Sequence, residues 1–246
     1  WSGFWRLVMK KTVVLVHGAW HGRWCWKKVV PLLEAEGYAV LAPDLPGHGG
    51  DSMDFGHIVL ETYTDSVMAG IRSVAGKVVL AGHSMAGAIV SQVAENMADK
   101  IERLVYVSAF VPPDGGSVSQ EARKAKVQTI AEEMLPDKIR YEIDLKKSPR
   151  LKELFYNACS DEDAQFALAH LQKEPLKPFM GSIYLSQERF GQVKKTYISC
   201  LKDAVVLPED QKRIYTAAKC DVVILKDADH SPFFSAVEEL VKGMIK

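Results

Sequence analysis

Ser84 stands in Gly82-His83-Ser84-Met85-Ala86-Gly87, directly after the apolar run Val78-Val79-Leu80-Ala81 and before Ala88-Ile89-Val90-Ser91-Gln92-Val93-Ala94. A Gly-x-Ser-x-Gly pentapeptide between a buried strand and a helix is the pattern of a sharp turn that presents a serine oxygen at the edge of a sheet. Gly82 and Gly87 lack a Cβ, which lets the strand and helix backbones close around a serine whose own backbone is strained. The chemistry on offer is nucleophilic attack by the Ser84 hydroxyl. The bare pattern arises by chance about 0.1 times in a chain of this length, so its weight comes from the flanking strand and helix. Without them the serine would merely cap a helix.

A serine hydroxyl needs a base within hydrogen-bond reach and a third group that fixes the tautomer of that base. With an elbow of this kind the partners follow in the order serine, acid, histidine. Only His170 and His230 come after Ser84. His170 lies in a helix-favouring stretch, 163–172, and reads as a surface residue. His230, in Asp227-Ala228-Asp229-His230-Ser231-Pro232, falls between an apolar run and the last helix, where a strand-end loop can lean over Ser84; it is assigned as general base. The acid is expected where the preceding strand ends, which makes Asp203 the candidate. Asp227 and Asp229 are too near His230 on its own loop and read as solvated turn residues.

Acyl chemistry also needs donors for the oxyanion: the N–H after the nucleophile and one from the loop following the first main strand. Met85 supplies the first. His17-Gly18-Ala19-Trp20-His21-Gly22 follows Val13-Val14-Leu15-Val16, so Ala19 supplies the second. The same stretch, with Asp44 and His48, is a weak metal candidate, because His17 and His21 leave a strand rather than share a helix face and no His-Glu-x-x-His pattern occurs. His17 is expected to brace the loop, and 44–49 to close the second strand as a structural turn. No metal and no cofactor is called for.

Positioning these residues requires a scaffold. Apolar, strand-like runs recur at 12–16, 38–42, 77–81, 103–107, 196–200 and 222–225, separated by helical segments at 24–36, 58–74, 84–96, 209–218 and 234–245. Near-continuous Val, Ile and Leu runs alternating with helices predict an α/β fold with a mostly parallel central sheet, helices on both faces, and ligands at the carboxyl ends of the strands. The alternation stops after Val111, where Pro112-Pro113-Asp114-Gly115-Gly116 breaks it, and resumes near residue 194. The core is therefore assigned to 12–111 and 194–246, and 112–193 to a helical cap inserted after the strand ending near Val107. Residues 1–11 are set aside as an N-terminal extension.

The 246 residues suffice for one full core, and 31 basic against 31 acidic side chains leave no net charge to favour nucleic acid or an anionic surface. The expected partner is a small molecule; a homodimer is the one protein association entertained. No apolar run approaches the roughly 18 residues of a membrane span. Cys25, Cys159, Cys200 and Cys220 are widely spaced, without disulfide or zinc spacing, which suits a cytoplasmic protein.

With these residues in hand, the chain resembles the α/β-hydrolase fold, and more closely the branch of plant-type methylesterases, hydroxynitrile lyases and their bacterial esterase relatives. The resemblance runs from Thr12 onward and rests on 14–22 with Trp24 and Trp26, on 82–87, on 154–160, on Glu188-Arg189-Phe190-Gly191 and on 229–232. It implies Ser84 as nucleophile, His230 as base, Asp203 as acid, and Ala19 and Met85 as oxyanion donors. Cyanohydrin-cleaving members resemble one another in a threonine after the first histidine and a lysine after the catalytic one; here Gly18 and Ser231 stand there. The missing lysine removes the cation that would steady departing cyanide, and Gly18 leaves room for an acyl intermediate. Hydrolysis of small methyl, alkyl or aryl esters is the activity implied, with a ligand receptor or a lyase as the alternatives. Phe155 and Phe179 of the cap are candidates to line the pocket, or stand as plain core.

Overall fold

The computed structural model describes residues 10–246, so most of the assigned N-terminal extension lies outside the described residues. In chain order the strands are β1 (Thr12–Val16), β2 (Ala39–Leu41), β3 (Val78–His83), β4 (Ile101–Val107), β5 (Met134–Asp137), β6 (Glu142–Leu145), β7 (Glu174–Pro175), β8 (Lys194–Cys200) and β9 (Asp221–Leu225). Six of them form one sheet in the order β2-β1-β3-β4-β8-β9, every neighbouring pair parallel. Every residue of β1 and β3 is buried, as strands covered on both faces must be.

The helices are α1 (Val29–Ala35), α2 (Leu60–Arg72), α3 (Ala86–Asn96), α4 (Val118–Ala122), α5 (Arg150–Phe155), α6 (Asp161–His170), α7 (Pro208–Ala217), α8 (Pro232–Ser235) and α9 (Val237–Ile245). In α2 the buried positions Leu60, Tyr63, Thr64, Val67, Met68 and Ile71 recur at helical spacing and pack that face against α3, while α1 packs on α9. The single helix expected at 24–36 is a 3₁₀ turn, Arg23–Trp26, followed by α1. The tighter turn brings the neighbouring side chains of Cys25 and Trp26 into the core together, with the Cys25 and Lys27 N–H groups bonded to the Gly22 and Trp24 carbonyls. Ala236, with a non-helical backbone at φ −151° and ψ 53°, likewise divides the expected last helix into α8 and α9.

The segment expected to be a helical cap contains α4, α5 and α6, and also a three-stranded antiparallel sheet, β5-β6-β7. Its strands are two to four residues long, β5 contains Pro136, and only Ile143 and Leu145 of β6 point into the core. So little alternation gives no strand signal in the linear sequence; the pairing of Met134 with Leu145 and of Ile143 with Glu174 comes from the neighbours.

Because β1 lies between β2 and β3, successive connections leave it in opposite directions and open a crevice at the carboxyl ends of β1 and β3. The loop beginning at His17 and the turn carrying Ser84 both issue there. Ser84 has a left-handed backbone, φ +53°, a conformation that costs a non-glycine residue about 1–2 kcal/mol. It is held by the exit of β4: the Ser84 N–H donates to the Val107 carbonyl at 3.1 Å, and the Ser84 carbonyl accepts from Phe110 N–H at 3.0 Å. Gly87 permits this closure, since a Cβ there would strike Ala109 and the Phe110 backbone.

Candidate active site

Three loops at the strand ends bring Ser84, Asp203 and His230 together. The Ser84 hydroxyl lies 3.1 Å from His230 Nε2, and His230 Nδ1 lies 2.9 Å from Asp203 Oδ2. A carboxylate only accepts, so Nδ1 carries the proton, donates it to Asp203, and leaves Nε2 unprotonated toward the hydroxyl. Asp203 Oδ1 is held by the N–H groups of Val205 and Val206 at 2.8 and 2.9 Å. Gln211 of α7 donates to Oδ2 at 3.2 Å and also ties the Cys200 and Val206 backbones. Gln211 is wholly buried; nothing in the linear sequence of an otherwise polar helix marks it.

Ser84 is only 8% exposed and His230 1%, and the two clefts of about 760 and 770 Å³ elsewhere on the surface are lined by neither residue. Aromatic side chains pack beside the His230 ring instead. The Phe155 ring, delivered by α5, is centred 5.7 Å from the His230 ring and 6.1 Å from Trp20. Phe179 is half-buried and contacts Trp20 at 5.9 Å. The space beside Gly18 is occupied by the elbow itself: a Cβ there would lie 2.7 Å from His83 Nδ1 and 2.9 Å from Ser84 Cβ. Gly18 thus permits close approach of the loop to the serine, rather than opening volume for an acyl group.

Ala19 and Met85, the expected oxyanion donors, follow β1 and Ser84 respectively, and among the described residues neither N–H donates to a protein acceptor. Met85 immediately precedes α3, whose amino-terminal end adds partial positive character there. His17 braces the loop as expected: Nδ1 donates to the Gly18 carbonyl at 2.9 Å and Nε2 accepts the Leu45 N–H at 3.0 Å. His21 donates from Nδ1 to the Ala19 carbonyl at 2.8 Å and accepts from the Tyr156 hydroxyl at 2.9 Å. His83 donates from Nε2 to the His230 carbonyl at 2.8 Å. Burial, followed by the neighbouring imidazoles, pushes His17 and His83 well below the ordinary histidine pKa. Burial outweighs the Ala19 carbonyl and holds His21 at about 3. All three are therefore neutral; both nitrogens of His17 and of His21 are committed to the loop geometry, while His83 is bonded through Nε2 alone.

Two acidic residues depart from expectation. Asp227 is solvated beside Lys202, but Asp229 is completely buried and accepts from Ala158 N–H at 2.7 Å, Ser231 N–H at 2.9 Å and the Ser235 hydroxyl at 2.7 Å. It ties the histidine loop to the end of α5 and so fixes where His230 emerges. Glu174 of β7, which the sequence reading passed over, is also fully buried. Its Oε2 accepts from Trp20 N–H at 2.8 Å and from His48 Nε2 at 2.9 Å, and its Oε1 from the Tyr63 hydroxyl at 2.7 Å. Burial alone would lower His48, but the Glu174 charge and hydrogen bond, with the Pro46 carbonyl and Asp44, outweigh it and raise its pKa. His170 is exposed on α6, as expected, its ring tilted against that of Phe166. All four cysteines are free thiols.

A parallel sheet with a serine elbow after its third strand and a histidine loop after its last is one arrangement among known proteins, and residues 13–242 match the alpha/beta hydrolase family. The chain belongs to that family. This α/β-hydrolase is 34% identical over 247 residues to Methylesterase 3 of Arabidopsis thaliana, covering 94% of this chain and 93% of that one. It is 32% identical over 253 residues to Salicylic acid-binding protein 2 of Nicotiana tabacum, covering 96% of each. A solved pyrethroid hydrolase from Sphingobium faniae JZ-2 superposes with a TM-score of 0.86 at 28% identity, over 94% of both chains. Among the described residues no helix is long and apolar enough to cross a membrane.

Proposed function

We propose that this α/β-hydrolase cleaves small carboxylic esters, methyl, short-chain alkyl or aryl, through an acyl-serine intermediate. Ser84 Oγ attacks the ester carbonyl as His230 Nε2 takes its proton. The negative charge that develops on the carbonyl oxygen is received by the N–H groups of Ala19 and Met85. Collapse of the tetrahedral adduct breaks the bond to the alcohol, which leaves with the proton held by His230. Water then attacks the acyl-serine with His230 again as base, releasing the acid and restoring Ser84. Asp203 stabilises the transient imidazolium and holds its tautomer. These steps use no cofactor.

The observation that carries this reading is the hydrogen-bonded series Ser84–His230–Asp203, buried from water. A buried relay acts on charge in a low-dielectric surrounding, where a developing oxyanion is stabilised most. The names of the relatives, methylesterase and pyrethroid hydrolase, support an ester as the substrate. The aromatic surroundings of His230, Phe155 packed on Trp20, favour small or flat groups flanking the ester. Ser231 stands where the cyanohydrin-cleaving pattern has a lysine, and the absence of that cation argues for hydrolysis over lyase chemistry. The unpaired thiols suit the cytoplasm, and the balanced charge disfavours nucleic acid.

Ser84→Ala tests the mechanism. Turnover of an activated aryl ester should fall roughly 10⁴-fold or more, while binding of a product carboxylate persists. A variant that hydrolyses the ester at the native rate removes the serine from the reaction. A panel varying the acid and alcohol portions independently then measures the substrate range, and saturable ligand binding without any turnover by the native protein would assign it to the receptor class instead.

A further inference from the structure

Trp20 directly follows Ala19 and has a left-handed backbone, φ +61°. Each of its polar groups is bonded to the cap segment. Its N–H donates to Glu174 Oε2 at 2.8 Å, its carbonyl accepts the Gln172 N–H at 2.9 Å, and its indole Nε1–H donates to the Ile143 carbonyl at 3.1 Å. Three attachments to β6, β7 and the residues before β7 make the loop after β1 and the cap sheet one mechanical unit.

Glu174 is the charged member of this attachment, and its burial calls for a reason. It is 0% exposed, as is the His48 side chain that pairs with it. A buried ion pair is a poor source of net stability, because desolvation of the two charges offsets most of their attraction and an apolar pair of like volume does as well. What a carboxylate supplies and an apolar side chain cannot is several directed acceptor sites. Glu174 uses them on Trp20 N–H, His48 Nε2 and Tyr63 hydroxyl, groups from three separate elements of the core. Tyr63 comes from α2 and His48 from the turn after β2, so the carboxylate is fixed from two sides while it grips the loop on the third.

We infer that Glu174 is a positioning residue for the oxyanion site: by fixing the peptide between Ala19 and Trp20 it sets the direction in which the Ala19 N–H points. This rests on the proposed serine mechanism, in which that N–H receives the oxyanion. A left-handed tryptophan relaxes without its restraint, and rotation of the adjoining peptides turns the Ala19 N–H away from the carbonyl oxygen. The charge-assisted bond from Trp20 N–H to a carboxylate is stronger than the same bond to a neutral acceptor, which is what a strained backbone requires.

The test is Glu174→Gln, which keeps the volume and removes the charge, assayed with p-nitrophenyl acetate and with a trifluoromethyl ketone whose serine adduct places an alkoxide in the same oxyanion site. The expected result is a fall in kcat on the order of 10- to 100-fold with KM within about twofold, smaller than the effect of deleting an oxyanion donor outright. Affinity for the ketone should fall by the same factor, while affinity for the product carboxylate holds. A purely structural role would lower the urea midpoint and leave kcat and the ketone affinity of the folded fraction unchanged, and that result overturns the inference. If Glu174→Gln does not fold, Tyr63→Phe replaces it. Loss of the hydroxyl frees one carboxylate oxygen, and kcat and ketone affinity should fall together by a few-fold; wild-type values for both overturn the inference. Native behaviour of Glu174→Gln beside an inactive Ser84→Ala defeats this inference alone. Persisting activity in Ser84→Ala defeats the serine mechanism and this inference with it.

Discussion

Two histidine–carboxylate pairs lie in the same buried region, His230 with Asp203 and His48 with Glu174, each with a nitrogen 2.9 Å from a carboxylate oxygen. They differ at the other nitrogen. His230 Nε2 faces the Ser84 hydroxyl, which can donate, so the ring can rest neutral and take up a proton when one is released. His48 Nδ1 faces the Pro46 carbonyl at 3.3 Å, which can only accept. With acceptors on both sides, His48 is satisfied only when doubly protonated, in keeping with its raised pKa. One contact separates a ring suited to move protons from a ring whose surroundings favour the protonated form. A buried carboxylate beside a histidine is therefore not by itself a catalytic pair; the partner of the distal nitrogen decides.

Replacing one member of each pair is the strongest way to break this comparison. Asp203→Asn should lower kcat by about 10⁴-fold with the fold intact, because an amide can donate to Nδ1 and stabilise the wrong tautomer; steady-state kinetics and a thermal melt measure the two halves of that statement. His48→Gln should act on stability first. It leaves the Glu174 charge buried without its cation, at a cost of about 3 kcal/mol, read as a lower urea midpoint. The raised pKa of His48 gives that loss a pH dependence. Its contribution is complete below the ordinary imidazole value of about 6.5 and fades as pH rises through the native value, so the gap between native protein and variant should narrow in alkaline buffer.

The neutral histidines sharpen the contrast from the other side. His17, His21 and His83 have native pKa values below the ordinary one, His21 at about 3. As pH falls the unfolded chain takes up these protons first, so stability that is complete above about pH 6.5 declines toward pH 3. Each group adds up to about 1.4 kcal/mol per pH unit to that slope. Urea titrations at half-unit intervals measure it, and His21→Asn should flatten it by the share of one group. The smallest effect belongs to His170. It is exposed and bonded only within its own helix, to the Phe166 carbonyl, so His170→Ala should change stability by no more than about 0.5 kcal/mol and leave ester turnover at the native rate. A large loss there would reopen the choice of base.

How much was legible in the sequence follows the range of the interaction. The inner strands of the main sheet were visible because a strand buried on both faces has to be a nearly unbroken apolar run, and Thr12–Val16 appears with the bounds expected; the edge strands β2 and β9 are far less buried and show through their Val, Ile and Leu content alone. The elbow was visible because its glycines, its serine and its flanking elements are contiguous. His230 and Asp203 could be named because strand order constrains where their loops emerge. The cap sheet was not visible, since two- to four-residue strands carry too little alternation to register and form only against one another. Glu174 and Gln211 were passed over for a related reason: each stands in a polar stretch where a charged or amide residue reads as solvated, and only packing puts it in the core. Asp229 reads as a turn residue in water because its acceptors meet groups from the turn after α5 and from α8 that lie remote or unmarked in the linear order.

The linear order of residues by itself determined the class of fold, the serine turn and the identity of the histidine and aspartate that partner it, because hydrophobic patterning and chain order are properties of neighbours. Only the tertiary structure decided that Phe155 packs beside His230 and against Trp20, that His48 pairs with a buried carboxylate, and that Glu174 grips the loop beyond Ala19. Those outcomes depend on burial and on which groups the ring nitrogens and carboxylates meet, and apart from the local Pro46 carbonyl the deciding contacts join residues more than a hundred positions apart.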